Sequence, residues 1–398
     1  MKIKVGVIYG GQTVEHEVSI ISALQAMDNM DKEKYEIIPI YIAKDRTWYT
    51  SEMLKEVDVY KDFEDVKKYA KKCVLIKKDN TYILQSTGFF KKTLTEIDVA
   101  FPVVHGNNVE DGSLAGYLDT IGIPYVGPNI LGAAVGQDKV VIKQILESSN
   151  INVVPYTWFY DTEYLSYKKD IEKEIEKIGY PVIVKPAKLG SSVGIKVVKS
   201  KEDIDAAIKD AISYDTKIIV EKVVENLVEV NCSVLGSYES QQTSVLEEVI
   251  SSSDFLTYSE KYTGGGKGKL GSKGSKGMLS TDRIIPARLS KKEEEQVKDM
   301  AVKTFRVLNL SGVCRIDFLI NKKTKEVYVN EPNTIPGSLS FYLWEPVGKN
   351  YTSLLDDLIT ISIKTYKLKN KKTYTFDSNI LSNYGGSKGK LGVKGKLR

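Results

Sequence analysis

Two β-rich runs close to the C-terminal end, Val313–Ile320 and Val327–Asn330, constrain this chain more than any other feature. They flank Asn321-Lys-Lys-Thr-Lys325, a polar turn, and so read as a hairpin. Asp317 lies inside the first run, while Glu331 and Asn333 stand just past the end of the second. Side chains alternate along a strand, so a pair spaced i, i+2 points to one side. Three oxygen donors converging from a hairpin suit Mg²⁺, which takes one or two carboxylates together with phosphate oxygens. A solvated acidic turn has the same residues, and the hairpin alone does not separate the two readings.

The start of the chain adds a second constraint. Lys2–Tyr9 is a buried-type strand ending in Gly10-Gly11, Glu15–Met27 carries apolar residues at helical spacing, and Tyr35–Ile42 is another strand. That order opens a doubly wound α/β domain, in which ligands bind beyond the carboxyl ends of the strands, where Gly10–Glu15 lies. At 398 residues the chain is long for one core, so two or three domains are expected. There is no run of eighteen apolar residues, and a strand begins at once after Met1, so neither a membrane span nor a signal peptide is expected and the cytoplasm is the natural location. Cys73, Cys232 and Cys314 are scattered, which indicates neither a disulfide framework nor a zinc site. Of the two histidines, His16 and His105, the first reads as structural.

Further along, Val99–Val104 is a short strand running into His105-Gly-Asn-Asn-Val-Glu-Asp-Gly112, and Ser113–Ile121 is a helix. Asp111 before Gly-Ser-Leu also suits a helix N-cap, so Glu110-Asp111 has two readings. A helix is expected over Asn129–Ser149, containing Asp138-Lys139. The stretch Lys185-Pro-Ala-Lys-Leu-Gly-Ser-Ser-Val-Gly194 joins strand to strand, so it is neither a Rossmann fingerprint nor a P-loop. Its small residues still let backbone N–H groups approach phosphate oxygens. Helix Lys201–Ile212, strand Lys217–Val220 and paired strands over Val228–Ile250 follow. The Gly/Lys-rich stretch Tyr258–Gly277 cannot form a core and reads as a lid loop. Its segment Gly264–Gly274 matches Gly385–Gly395 at nine of eleven positions, so the tail echoes the lid. Aromatic residues are not interleaved with the lysines of either segment, which argues against nucleic-acid binding.

Together these motifs resemble the ATP-grasp ligases, and closely the D-alanine–D-alanine ligases, in seven places between Lys2 and Tyr366. The motifs are Gly10–Ser19, His105-Gly with Glu110-Asp-Gly112, Asp138-Lys139, Lys185–Gly194, Glu221-Lys222 with Glu229, Lys261-Tyr262, and Arg315-Ile-Asp317 with Asn330–Gly337. The resemblance implies an α/β fold, α+β in its C-terminal part. Its units would be an N-terminal doubly wound parallel-sheet domain (1–128), a central ATP-grasp subdomain (129–224), a C-terminal one (225–368) with a lid loop at 258–280, and a basic tail (369–398).

It also implies roles. Lys139, Lys185 and Lys261 would hold ATP phosphates, with Ser192 and the rest of the Gly190–Gly194 loop over them. Glu221, Lys222 and Val224 would neighbour the adenine, and Glu229 would take the ribose hydroxyls. Asp317, Glu331 and Asn333 would carry two Mg²⁺ (or Mn²⁺) ions. Glu15 would fix the first substrate's ammonium, linked to Ser191 and Tyr262, with His105 and Glu110 lining that side. Arg315 and the Gly337 N–H would stabilise an oxyanion. The implied reaction joins two D-alanines through an acyl phosphate, for peptidoglycan synthesis, in a homodimer. The departures from the family pattern cluster around the second substrate: Tyr342 stands where a serine is common, and Asn107-Asn108-Val109 replaces a Gly-rich run. Ligation of D-alanine to D-serine or another amino acid is therefore the nearest alternative, and a nucleotide- or nucleic-acid-binding protein without catalysis a more distant one.

Overall fold

The computed structural model describes residues 2–250, 282–375 and 377–378. The lid stretch with Lys261 and Tyr262, and the echo in the tail, lie outside the described residues.

The N-terminal part is one seven-stranded sheet, formed by β1 (Ile3–Gly10), β2 (Tyr35–Ile42), β3 (Trp48–Thr50), β4 (Lys71–Lys78), β5 (Thr81–Ser86), β6 (Thr93–Glu96) and β7 (Val99–Val103), in the order β6-β5-β4-β3-β2-β1-β7. Only β7, β1 and β2 run parallel, and β3 to β6 extend the sheet antiparallel. The wound part expected from the sequence is thus confined to three strands. Every residue of β7 is buried and most of β1 and β2, as in a sheet covered on both faces. Helix α1 (His16–Asn29) packs on this sheet, α2 (Phe63–Tyr69) precedes β4, and α3 (Ser113–Ile121) follows β7.

The expected helix over Asn129–Ser149 is two helices, α4 (Ile130–Gln137) and α5 (Lys139–Ser148). Asp138 breaks it: its backbone is extended, and its Oδ1 accepts from the N–H groups of Val140 and Val141 at 3.0 and 3.2 Å. A short carboxylate that caps the second helix is worth more there than as an interior helix residue.

Two antiparallel sheets follow. β8 (Tyr156–Tyr160), β9 (Val182–Pro186), β10 (Lys196–Val198) and β11 (Lys217–Lys222) form a four-stranded sheet, β10-β9-β11-β8, backed by α6 (Asp161–Ile178) and α7 (Ile204–Ile212). β12 (Leu227–Gly236), β13 (Gln241–Ile250), β14 (Asp282–Ile284), β15 (Gly312–Asn321) and β16 (Val327–Asn333) form a five-stranded one, β14-β13-β12-β15-β16. Its rear face packs on α8 (Lys291–Val307) through Val297, Ala301 and Phe305, and on α5 through Ile142 and Leu146. The last helix, α9 (Tyr351–Lys369), returns to the N-terminal core with Leu354, Leu355, Leu358 and Ile359. No helix among the described residues is long and apolar enough to cross a membrane.

Candidate active site

The front faces of the two antiparallel sheets, with the carboxyl end of the N-terminal sheet, enclose one cleft. On β15 the even-numbered side chains Cys314, Ile316, Phe318 and Ile320 enter the core, so Arg315 and Asp317 face the cleft. On β16 Val327 and Val329 are core residues, and unbroken alternation would send Glu331 and Asn333 into the core after them. Asn330 prevents this. Phe318 pairs with Val329 and Asp317 with Glu331, so Asn330 is the extra residue of a β-bulge that turns Glu331 and Asn333 to the cleft. Both residues lie within the strand, which ends at Asn333 and not at Asn330 as the sequence suggests. One rung across the sheet then carries Glu247, Asn231, Asp317 and Glu331.

Arg315 grips Asp317 with two parallel hydrogen bonds, 2.7 and 2.8 Å, and Asn333 Nδ2 donates to Asp317 Oδ2 at 3.0 Å. Lys139 opens α5, donates to the Leu189 carbonyl at 2.8 Å and lies 3.2 Å from Glu331. Two carboxylates and an amide form an oxygen donor set suited to a hard divalent cation that completes its shell with phosphate oxygens.

Lys185, on β9, also reaches the cleft, but its neighbour is Glu221 at 2.8 Å. Glu221 does not line the cleft. It is buried behind it and meets a second buried lysine, Lys143, at 3.3 Å. Burial acts against charge on Glu221, yet Lys143 and Lys185 outweigh it and hold the carboxyl down at about 2. Burial lowers the pKa of Lys143; for Lys185 burial acts in the same direction, but Glu221 overcomes it and the net shift is upward. Lys222, Val224 and Glu229 line the cleft, the first donating from Nζ to the carbonyls of Gly179 and Tyr180.

On the opposite wall, Glu15 stands at the start of α1 and accepts a short hydrogen bond from Ser191 Oγ. Ser191 and Ser192 both have left-handed backbones, φ 55° and 59°. A Cβ on Gly190 would sit 2.9 Å from Glu15 Oε2, so any larger residue here would push the Glu15 carboxylate from its place. His105 bonds to Ser22 Oγ at 3.1 Å, and burial lowers its pKa. His16 is structural, as expected: buried, with its ring bonded to the Gly11 carbonyl and the Tyr41 hydroxyl.

Glu110 is a buried tie and not a helix cap. Its Oε2 accepts from the Gly106 N–H (2.8 Å) and its Oε1 from Thr334 Oγ1 (2.7 Å) and the Ile335 N–H (3.0 Å). Burial, with the charge of Glu15 adding to it, pushes its carboxyl up to about 7. Asp111 instead holds the turn, accepting from the N–H groups of Asn108 and Ser113. Beyond Gly337, which lines the cleft, Ser338, Leu339 and Ser340 are all left-handed, at φ 50–52°. Such residues cost about 1–2 kcal/mol each. The turn is held by Ser338, whose N–H and hydroxyl donate to Ser22 and Gln25 of α1 at 3.0 and 2.6 Å. Tyr342 donates from its hydroxyl to Glu247 at 3.1 Å and is not itself a lining residue.

Sequence reasoning missed Lys143, Asn231, Glu247 and Arg283. The signals were present: Lys143 is one turn beyond Lys139 among apolar residues, and Glu247 interrupts a β-branched strand.

Two antiparallel sheets closing on a cleft with paired lysines, a Gly/Ser loop and a carboxylate hairpin define an ATP-grasp ligase. The family descriptions "D-ala D-ala ligase N-terminus" and "D-ala D-ala ligase C-terminus" match residues 4–128 and 145–360. Among curated proteins, the D-alanine–D-alanine ligases of Thermosipho melanesiensis and Thermosipho africanus are 40% and 39% identical, each alignment covering 95% of this chain and 98% of the relative. Among solved structures, the VanG D-Ala:D-Ser ligase of Enterococcus faecalis superposes with a TM-score of 0.75 at 30% identity, covering 91% of this chain and 100% of that one. The D-alanine–D-alanine ligase of Coxiella burnetii gives 0.74 at 27%, covering 96% and 98%. The chain belongs to the D-alanine–D-alanine ligase family.

Proposed function

We propose that this enzyme joins two D-alanines into D-alanyl-D-alanine for peptidoglycan, with ATP cleaved to ADP and phosphate. The observation that carries this reading is the convergence of Glu15, Lys139, Lys185, Arg315, Asp317, Glu331 and Asn333 on one cleft.

In this reading Lys222, Val224 and Glu229 seat the nucleoside, and Lys139 and Lys185 hold its phosphates under the Gly190–Ser192 loop. Asp317, Glu331 and Asn333 would hold Mg²⁺, which would supply charge neutralisation for the transferring phosphoryl group. Glu15 receives the ammonium of the first D-alanine, and His105, kept neutral by burial, lines that pocket. The substrate carboxylate attacks the γ-phosphorus to give D-alanyl phosphate, which supplies the leaving group that a carboxylate lacks. The second D-alanine, its ammonium having released one proton to solvent, then attacks the acyl carbon through the free amine. Phosphate departs and takes up the second proton lost from nitrogen. Arg315 and the Gly337 N–H face the oxyanion, each worth about 3 kcal/mol. Lys261 and Tyr262 are assigned to the lid that excludes water from the acyl phosphate.

The test is phosphate release with ATP and Mg²⁺, products identified by mass, on D-alanine alone and on D-alanine mixed with D-serine, D-lactate or L-alanine. Dipeptide from D-alanine alone is expected. Turnover only in a mixture would change the second substrate, and no turnover would overturn the reading.

A further inference from the structure

Opposite the nucleotide side, the cleft contains a carboxylate and a guanidinium that the roles above do not use. Glu247 on β13 is 1% exposed yet lines the cleft, on the rung that carries Asp317 and two strands away from it. Its Oε1 accepts from Asn231 Nδ2 at 2.6 Å and from the Tyr342 hydroxyl at 3.1 Å. Its Oε2 accepts no hydrogen bond among the described residues and lies 3.6 Å from Arg283 Nη1. Arg283, beside it on β14, also lines the cleft and stacks its guanidinium 4.8 Å from the centre of the Tyr342 ring. A buried carboxylate with one oxygen held by two donors and the other met, among the described residues, by an ion pair at 3.6 Å keeps hydrogen-bonding capacity that a ligand N–H can fill.

We propose that Glu247 and Arg283 form a receptor for the second substrate as a zwitterion, Glu247 taking its amino nitrogen and Arg283 its carboxylate. This rests on the ligase reading above. Glu15, His105 and Glu110 occupy the first-substrate wall, and Lys139, Lys185 and Glu229 the nucleotide wall, so an incoming amine reaches the acyl carbon beside Arg315 from the β13–β14 side. The two opposite charges match those of an α-amino acid. A 2-hydroxy acid carries the anion alone and brings no cation to Glu247, so the pair discriminates by charge as well as by hydrogen-bond count. Asn231 and Tyr342 are positioning residues that aim Glu247.

Glu247→Gln keeps the shape and removes the charge. Initial rates over a range of D-alanine concentrations are fitted with one KM for each site; the variant is expected to raise the second-site KM about tenfold and to leave the first-site KM and the KM for ATP within about twofold. The ratio of D-alanyl-D-alanine to D-alanyl-D-lactate from an equimolar mixture should fall at least fivefold. Tyr342→Phe, which frees Glu247 Oε1 from one donor, should shift the same two readouts in the same direction but less. A folded Glu247→Gln enzyme with unchanged second-site KM and product ratio would overturn the proposal. So would a Tyr342→Phe enzyme unchanged in both, should Glu247→Gln fail to fold. Wild-type enzyme that forms no dipeptide would instead count against the ligase reading itself.

Discussion

Two buried groups make the residue scale testable. The Glu110 carboxyl is pushed up to about 7, by burial first and by Glu15 second, against an ordinary value near 4.5. Between those values the native protein keeps a proton that the unfolded chain has released. Stability therefore falls as pH rises through that window and levels off above it. The loss is on the order of 3 kcal/mol between pH 4.5 and 8. Glu110→Gln, neutral throughout, should flatten this window in urea unfolding. Lys143 supplies the second prediction. With it, the Lys143–Glu221–Lys185 array carries one net positive charge toward the phosphates; without it, Glu221 cancels Lys185. Lys143→Met should raise the KM for ATP about tenfold at near-constant KM for D-alanine. It should also cost about 3–5 kcal/mol of stability, because Glu221 is left with one partner. Adding Glu221→Gln should recover most of that stability.

Among elements, the hairpin and the Gly/Ser loop decide whether the site exists. Deleting Asn330 would remove the bulge, and regular alternation from Val329 would still point Glu331 and Asn333 to the cleft, so a folded deletion variant should keep measurable turnover. Gly190→Ala forces a Cβ against Glu15 and should raise the KM values for ATP and for the first D-alanine at least tenfold in a folded enzyme. Much of this was legible in advance. The i, i+2 spacing of Glu331 and Asn333 foretold that they share a side, and the sequence places Asp317 only inside the first strand of the hairpin. The bulge was not legible, because its effect appears only when β16 is registered against β15. Nor was the break at Asp138, since apolar residues at helical spacing continue across it. Glu221 was taken as a neighbour of adenine from its place in a motif. That its side chain turns back to two lysines depends on α5, which is distant in sequence.

At the scale of the molecule, the cleft is tied together from far-separated parts. Glu110 reaches Thr334 and Ile335, Ser22 receives Ser338, and Ser191 reaches Glu15; Lys34 pairs with Asp356 and Lys369 with Asp119. A ligand that spans these parts stabilises all of them. ATP with Mg²⁺ at about one hundred times its Kd should add about 2.7 kcal/mol, visible as a rise in Tm. Chelating the metal should abolish turnover and most of that rise. The homodimer that the family resemblance implies would appear in sedimentation at twice the chain mass.

The rung that joins Glu247, Asn231, Asp317 and Glu331 also acts as a ruler. Neighbouring strands are held about 4.8 Å apart by their hydrogen bonds, and that spacing does not stretch. The separation between Asp317 and Glu331, proposed for the metal, and Glu247, proposed for the amine, is therefore fixed in whole strand steps. A substrate one methylene longer cannot be met by sliding the sheet. Any widening of what this enzyme joins has to come from trimmed side chains or re-shaped loops, and an engineer should leave the strands alone.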